Sequence, residues 1–235
     1  MRRDLAALMI CLLPAPLLAQ EPLSLAPERM FALPQGCTGY VTIQMASCSI
    51  SHHFRCEGDP EGWQRRVDLD EGGVTYFGAI DAETQWMESM HVMAGHSERL
   101  EASPADPASF SGLIATGIDT YDFRTLSDEV GEQRFIGQDR LTGRTVTIDG
   151  VTLDETEFAI RALDAEGKEM WRSEGFEFIS RDFRMFLSGQ STITAGGESW
   201  ESDSTPVDFI YPGEQGFLGV TPRHGCGVVL SRFGA

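Results

Sequence analysis

Four cysteines, Cys37, Cys48, Cys56 and Cys226, remain once the first nineteen residues are set aside as an export leader, and this even set restricts the fold more than any other feature. Arg2 and Arg3 supply a positive start, Leu5 to Leu13 an apolar core, and Ala19 a small residue at the expected cut. A run so short cannot cross a hydrocarbon layer of about 30 Å, so residues 1–19 read as a cleaved signal peptide. Cys11 leaves with it. The expected location is periplasmic or secreted, where thiols pair, and no later run is apolar enough to span a membrane.

Spacing alone leaves all three pairings of four cysteines open. If residues 40–46 and 50–56 form a hairpin turning near Ser47-Cys48-Ser49, Cys37 falls opposite Cys56 and Cys48 is left for Cys226. Cys37–Cys56 with Cys48–Cys226 is therefore the expected pairing. No Cys-x-x-Cys pair is present, so a structural role is expected in place of redox chemistry.

The whole chain carries a net charge of −18, and removing Arg2, Arg3 and Asp4 leaves −19. Such a surface repels nucleic acid and anionic lipid, and no basic stripe offsets it. Lys168 is the only lysine and asparagine is absent, a skew that codon usage explains better than chemistry, so the arginines are not read as anion sites.

Residues 20–36 are rich in proline and lack periodicity, which reads as an extended N-terminal arm. Residues 37–235 read as a single disulfide-stapled β domain. Val67 and Leu69 alternate with charged neighbours, and Gly72-Gly73 offers a tight turn before Val74 to Ile80. A hairpin is predicted at Leu141-Thr142-Gly143, and a second at Asp149-Gly150, where both residues tolerate positive φ. Thr156, Phe158, Ile160 and Ala162 then alternate with Glu155, Glu157 and Arg161. One helix is predicted, with Asp106 as N-cap, Pro107 in its first turn and Gly117 ending it. The fold class expected is mainly β: a single curved antiparallel meander, like a half-barrel, of about ten strands with one short helix.

Chemistry-bearing residues are few. His52 and His53 lie between two cysteines, but adjacent imidazoles on a strand point to opposite faces. The segment from Trp86 to His96 carries thioether and imidazole groups that suit copper. If it is one strand, Met87, His91 and Met93 share a face while Met90 and His96 share the other, which splits the set. These residues are read as core filler, and no metal or other cofactor is expected. The acidic turn from Asp68 to Gly73 departs from a calcium loop at Gly72 and Ala79. Gly197-Glu198-Ser199-Trp200-Glu201 lacks the final glycine of a nucleophile elbow. Glu155 and Glu157 share the polar side of a strand and read as surface charges. No catalytic residue is assigned.

The stretch from Arg134 to Gly143, the Ile148-Asp149-Gly150 turn, Met170 to Gly175 and Pro212-Gly213-Glu214 resemble uncharacterised exported bacterial proteins. That resemblance brings no activity. A meander with one helix is also similar, in architecture only, to LolA-like periplasmic lipoprotein carriers, which implies an open half-barrel. The function expected is that of a non-enzymatic binding protein for an apolar ligand or envelope component. Phe158, Trp171, Phe176, Phe178 and Phe183 would line its groove. An exported hydrolase and a structural envelope protein are the alternatives.

Overall fold

The computed structural model describes residues 31–227. The expected leader, 1–19, and the first part of the expected arm, 20–30, lie outside the described residues, as do 228–235. The strands β1 (Cys37–Met45), β2 (Ser49–Cys56), β3 (Gln64–Asp70), β4 (Gly73–Ile80), β5 (Trp86–His91) and β6 (His96–Leu100) precede a helix, α1 (Phe110–Thr116). After it come β7 (Ile118–Ser127), β8 (Gly131–Ile148), β9 (Val151–Leu163), β10 (Glu169–Ser180), β11 (Met185–Ala195), β12 (Glu198–Asp203) and β13 (Pro206–Ile210).

All thirteen strands belong to one antiparallel sheet. From β1 to β12 each strand pairs with its neighbour in sequence, and β13 returns to pair beside β1. The count exceeds the ten or so expected because β6, β12 and β13 span only five or six residues, too short for a period-two pattern to announce them. The β12 edge is exposed and carries Glu198, Glu201 and Asp203, charges that discourage pairing with another chain.

Turn chemistry explains most of the hairpins. Asp149 and Gly150 adopt φ of 46° and 79°, as the expected two-residue turn between β8 and β9 requires. At Asp70 to Gly73 the Asp70 carboxylate accepts from the Gly72 amide at 2.6 Å. The hairpin predicted at Leu141-Thr142-Gly143 is not formed. Strand β8 runs straight through it, with Leu141 paired to Thr156 and Thr145 to Asp154. The residues between them form a bulge, in which Gly143 takes φ of 78° and the Thr142 hydroxyl donates to the Glu155 carbonyl.

The helix starts later than predicted. Asp106 exchanges both backbone hydrogen bonds with Asp122, at 3.0 and 2.8 Å, and so is committed to the sheet. Ser109 is the N-cap, its hydroxyl accepting from the Gly112 amide at 3.0 Å, and Gly117 ends the helix at φ of 83° as expected.

The sheet curls back on itself. Val41, Ile43 and Met45 of β1 and Phe209 of β13 pack with Leu153 of β9 and Met185 and Leu187 of β11. Neighbouring residues Phe178 and Ile179 of β10 serve different cores. Phe178 packs on this cluster, while Ile179 meets Phe110 and Leu113 of α1. A further cluster joins Tyr121, Phe123, Phe135 and Ala162 across β7 to β9.

The other face of β1 is polar and is covered by the segment after β13. The Leu218 amide donates to Thr42 Oγ1 at 3.0 Å and the Arg223 amide to Gln44 Oε1 at 2.9 Å. Disulfides Cys37–Cys56 and Cys48–Cys226 complete the frame, in the pairing expected. The first links directly opposed residues of β1 and β2. The second ties the β1–β2 turn to the segment that covers β1.

Candidate functional site

Two features distinguish the β3–β6 region. Phe54, Phe77 and Met90 line an open trough together with Arg65, Arg66, Glu88 and Glu98, and it continues past Val74 and Val92 to Phe31 and Pro34 of the arm. Its two adjoining hollows measure about 300 and 390 Å³. The described part of the arm is not a free tether: Phe31 and Leu33 pack on Phe54, Val67 and Leu69. Met90 is 47% exposed on the trough floor, beside the half-buried Phe77. Arg65 sets the polar rim, held by Asp59 at 2.7 Å and Glu88 at 2.9 Å.

The second feature is a cluster that the one-strand reading of residues 86–96 divided. The segment is a hairpin. Strand β5 ends at His91, the chain turns through Val92 to Gly95, and β6 begins at His96. Gly95, at φ of 70°, closes the turn with its amide on the His91 carbonyl at 2.8 Å. His91 and His96 thus become direct cross-strand partners, with near-parallel rings 4.6 Å apart. Glu98 lies two residues further on, on the same face. His96 Nε2 is 3.0 Å from Glu98 Oε1 and His91 Nε2 is 3.9 Å from it. Burial lowers the His91 pKa, opposed by the Glu98 charge and helped by His96 and Arg66. Met93 is 84% exposed on the turn, and Met87 lies four residues before His91 on β5, so neither belongs to the compact set.

His52 and His53 are placed on opposite faces of β2. His52 is fully buried, with Nδ1 2.9 Å from Thr42 Oγ1, Phe31 stacked on its ring and Nε2 without a partner at hydrogen-bonding distance among the described residues. Burial draws its pKa to about 4, against a smaller opposing pull from the Gly219 backbone. For His53, burial, helped by Arg66 and His52, lowers it to about 3. Ser51, His53 and Asp68 are adjacent, yet the Ser51 hydroxyl donates to Asp68 at 2.6 Å. Its only proton is committed there, so His53 Nε2 must donate to Ser51, the reverse of what a nucleophile and its base require. Cys48, Cys226 and Glu71 also converge, but both sulfurs are in the disulfide and offer no thiolate.

One carboxyl pair had no sequence signal. Asp139 of β8 and Glu177 of β10 meet on the face that bears Leu141 and Ile179, which α1 covers. Burial raises both pKa values, and the two charges repel each other. Such a pair holds a proton near neutrality. Nothing in a strand pattern marks it, because the residues are 38 apart and separated by β9. Glu155 and Glu157, in contrast, are paired outward with Arg144 and Arg140. Gly197 to Glu201 is the β11–β12 turn and strand, without the strand-to-helix elbow.

The aromatic residues expected to line a groove are distributed otherwise. Phe178 and Phe183 pack on the β1–β11 core and Trp171 on the β7–β9 cluster, Phe158 is half-buried on β9, and Phe176 is 38% exposed beneath Arg144. Alternation puts these side chains on a face but does not decide what covers it, and here the curled sheet does. Comparison with protein-family models, with curated proteins and with solved structures gives no match.

Proposed function

We propose that this chain is a non-enzymatic exported binding protein that takes the apolar part of a small ligand, an acyl chain or similar group, into the trough across β3 to β6. The observation that carries the reading is the exposed Met90 on a floor shared with Phe77 and walled by Phe31. An unbranched thioether adapts to ligands of differing shape. Arg65, held between Asp59 and Glu88, offers a fixed polar end beside the apolar floor of Phe77 and Met90, and Arg66 and Glu98 add charge along the same hollow. Two disulfides suit an oxidising compartment, and among the described residues no helix is long and apolar enough to cross a membrane.

Titration of the mature protein with cis-parinaric acid, a fluorescent fatty acid, tests the proposal. Saturable binding is expected, and Met90→Asp weakens it about tenfold or more by placing a charge on the apolar floor. Absence of saturable binding, or equal affinity in a folded Met90→Asp variant, overturns it.

A further inference from the structure

The β5–β6 hairpin beside the trough carries a different kind of chemistry. We propose that His91, His96 and Glu98 form a binding site for one divalent transition-metal ion of the zinc or copper(II) class. The ligand atoms of the three side chains all lie within 4.8 Å of one another. Two imidazole nitrogens and a carboxylate oxygen are a donor set that such ions accept, and three protein ligands leave a coordination position open.

The ligand-atom separations lie close to those around a bound ion. Ligand atoms bound to zinc at about 2.0–2.1 Å in a tetrahedral arrangement lie roughly 3.3 Å apart. Glu98 Oε1 stands 3.0 Å from one imidazole nitrogen and 3.9 Å from the other, while the stacked imidazoles, 4.6 Å apart, must turn about their side-chain torsions to aim both lone pairs at one ion. The frame is stiff, because the histidines are opposed residues of a ladder closed by a four-residue turn. Glu98, with a side chain only 7% exposed, is held in place, whereas His91 at 42% leaves a path for an incoming ion.

Neighbouring groups act in both directions. The Tyr76 ring meets His91 edge-on at 5.3 Å, and the Tyr76 hydroxyl and Ser89 Oγ are 2.9 Å apart, which limits how far the imidazole can swing. Arg66 stacks over Tyr76 and opposes a cation, but its charge is shared with Asp68 at 3.4 Å. The strong negative charge of the chain raises the local concentration of cations.

The test is calorimetric titration of tag-free mature protein with Zn²⁺ and with Cu²⁺, joined to electron paramagnetic resonance of the copper-loaded sample. One ion per chain is expected, with a copper spectrum showing two nitrogen donors. Folded His91→Ala, at the exposed position, and Glu98→Gln should each weaken binding about tenfold or more. Wild-type protein that takes up neither ion, or a folded His91→Ala variant of unchanged affinity, overturns the proposal. Folded His91→Ala should bind cis-parinaric acid as wild type does, because His91 lines neither hollow of the trough, so failure of the trough and failure of this site are read separately.

Discussion

The side-chain amide of Gln64 in β3 donates to the carbonyl oxygen of Phe183 at 2.9 Å, across 119 residues of chain. The same nitrogen reaches the Arg184 carbonyl at 3.1 Å, and Gln64 Oε1 accepts from the Tyr40 hydroxyl at 2.6 Å. One buried amide thus fastens the start of the sheet to the β10–β11 turn, where Arg184 holds φ of 50°.

Replacing that amide should be costly. Gln64→Leu leaves two backbone acceptors and one phenol without this partner, a loss of about 1–3 kcal/mol. Urea unfolding monitored by tryptophan fluorescence measures it, with Arg172→Ala, an exposed control, expected within about 0.5 kcal/mol of wild type. A Gln64→Leu midpoint equal to the control would remove this contact from the account.

A second expectation concerns Gly225. A Cβ there would stand 1.7 Å from the Ala46 carbonyl oxygen, and its φ of 70° already disfavours any other residue. Gly225→Ala should therefore prevent the C-terminal segment from seating on β1. Non-reducing peptide mapping should find free Cys48 and Cys226 with Cys37–Cys56 intact. Loss of the long crosslink costs up to about 5 kcal/mol on the chain-entropy view, against about 3 kcal/mol for the short one. Quantitative formation of both disulfides in the variant would contradict the packing argument.

Asp139 and Glu177 give stability a particular slope with pH. Burial raises the folded-state pKa of Asp139 to about 7 and lifts Glu177 as well, while unfolded carboxyls titrate near 4. The native state therefore keeps protons that the unfolded chain releases. Their contribution is fully present below about pH 4 and is lost as pH rises toward 7 and beyond. Asp139→Asn should flatten this decline and stabilise the protein at pH 8 relative to pH 4. An unchanged pH profile would show that the pair titrates normally.

The buried histidines act with opposite sign. Folded-state pKa values of about 4 for His52 and about 3 for His53 lie below the unfolded value near 6.5. Their contribution is complete above pH 6.5 and is lost as pH falls through 4 and 3, because the unfolded chain then binds protons that the native state refuses. His53→Gln keeps a polar partner for Ser51 and should remove part of the acid sensitivity. Unfolding midpoints between pH 3 and 6.5 that fall as steeply as in wild type would refute this.

Local rules were legible wherever one turn or one pair of adjoining strands decided the outcome. Asp149-Gly150 is such a case, since both residues tolerate the positive φ that a two-residue turn demands. The cysteine pairing is another, because the short β1–β2 hairpin brings Cys37 opposite Cys56 and leaves Cys48 at the turn. Legibility ended where two conformations share one local pattern. Gly143 serves a bulge as well as it would a hairpin, and the pairing of β9 with both sides of the bulge chose between them. Gly95 alone was too weak a mark to reveal the β5–β6 turn, so His91 and His96 were assigned to different faces.

By itself, then, the amino-acid order determined an antiparallel β chain with two crosslinks, because side-chain alternation and turn chemistry are properties of neighbouring residues. The tertiary structure alone decided which faces were covered, where Met90 stayed open, and that His91, His96 and Glu98 met. Alternation places a side chain above or below the sheet, but only the completed curl and register place another strand, the helix or solvent against it.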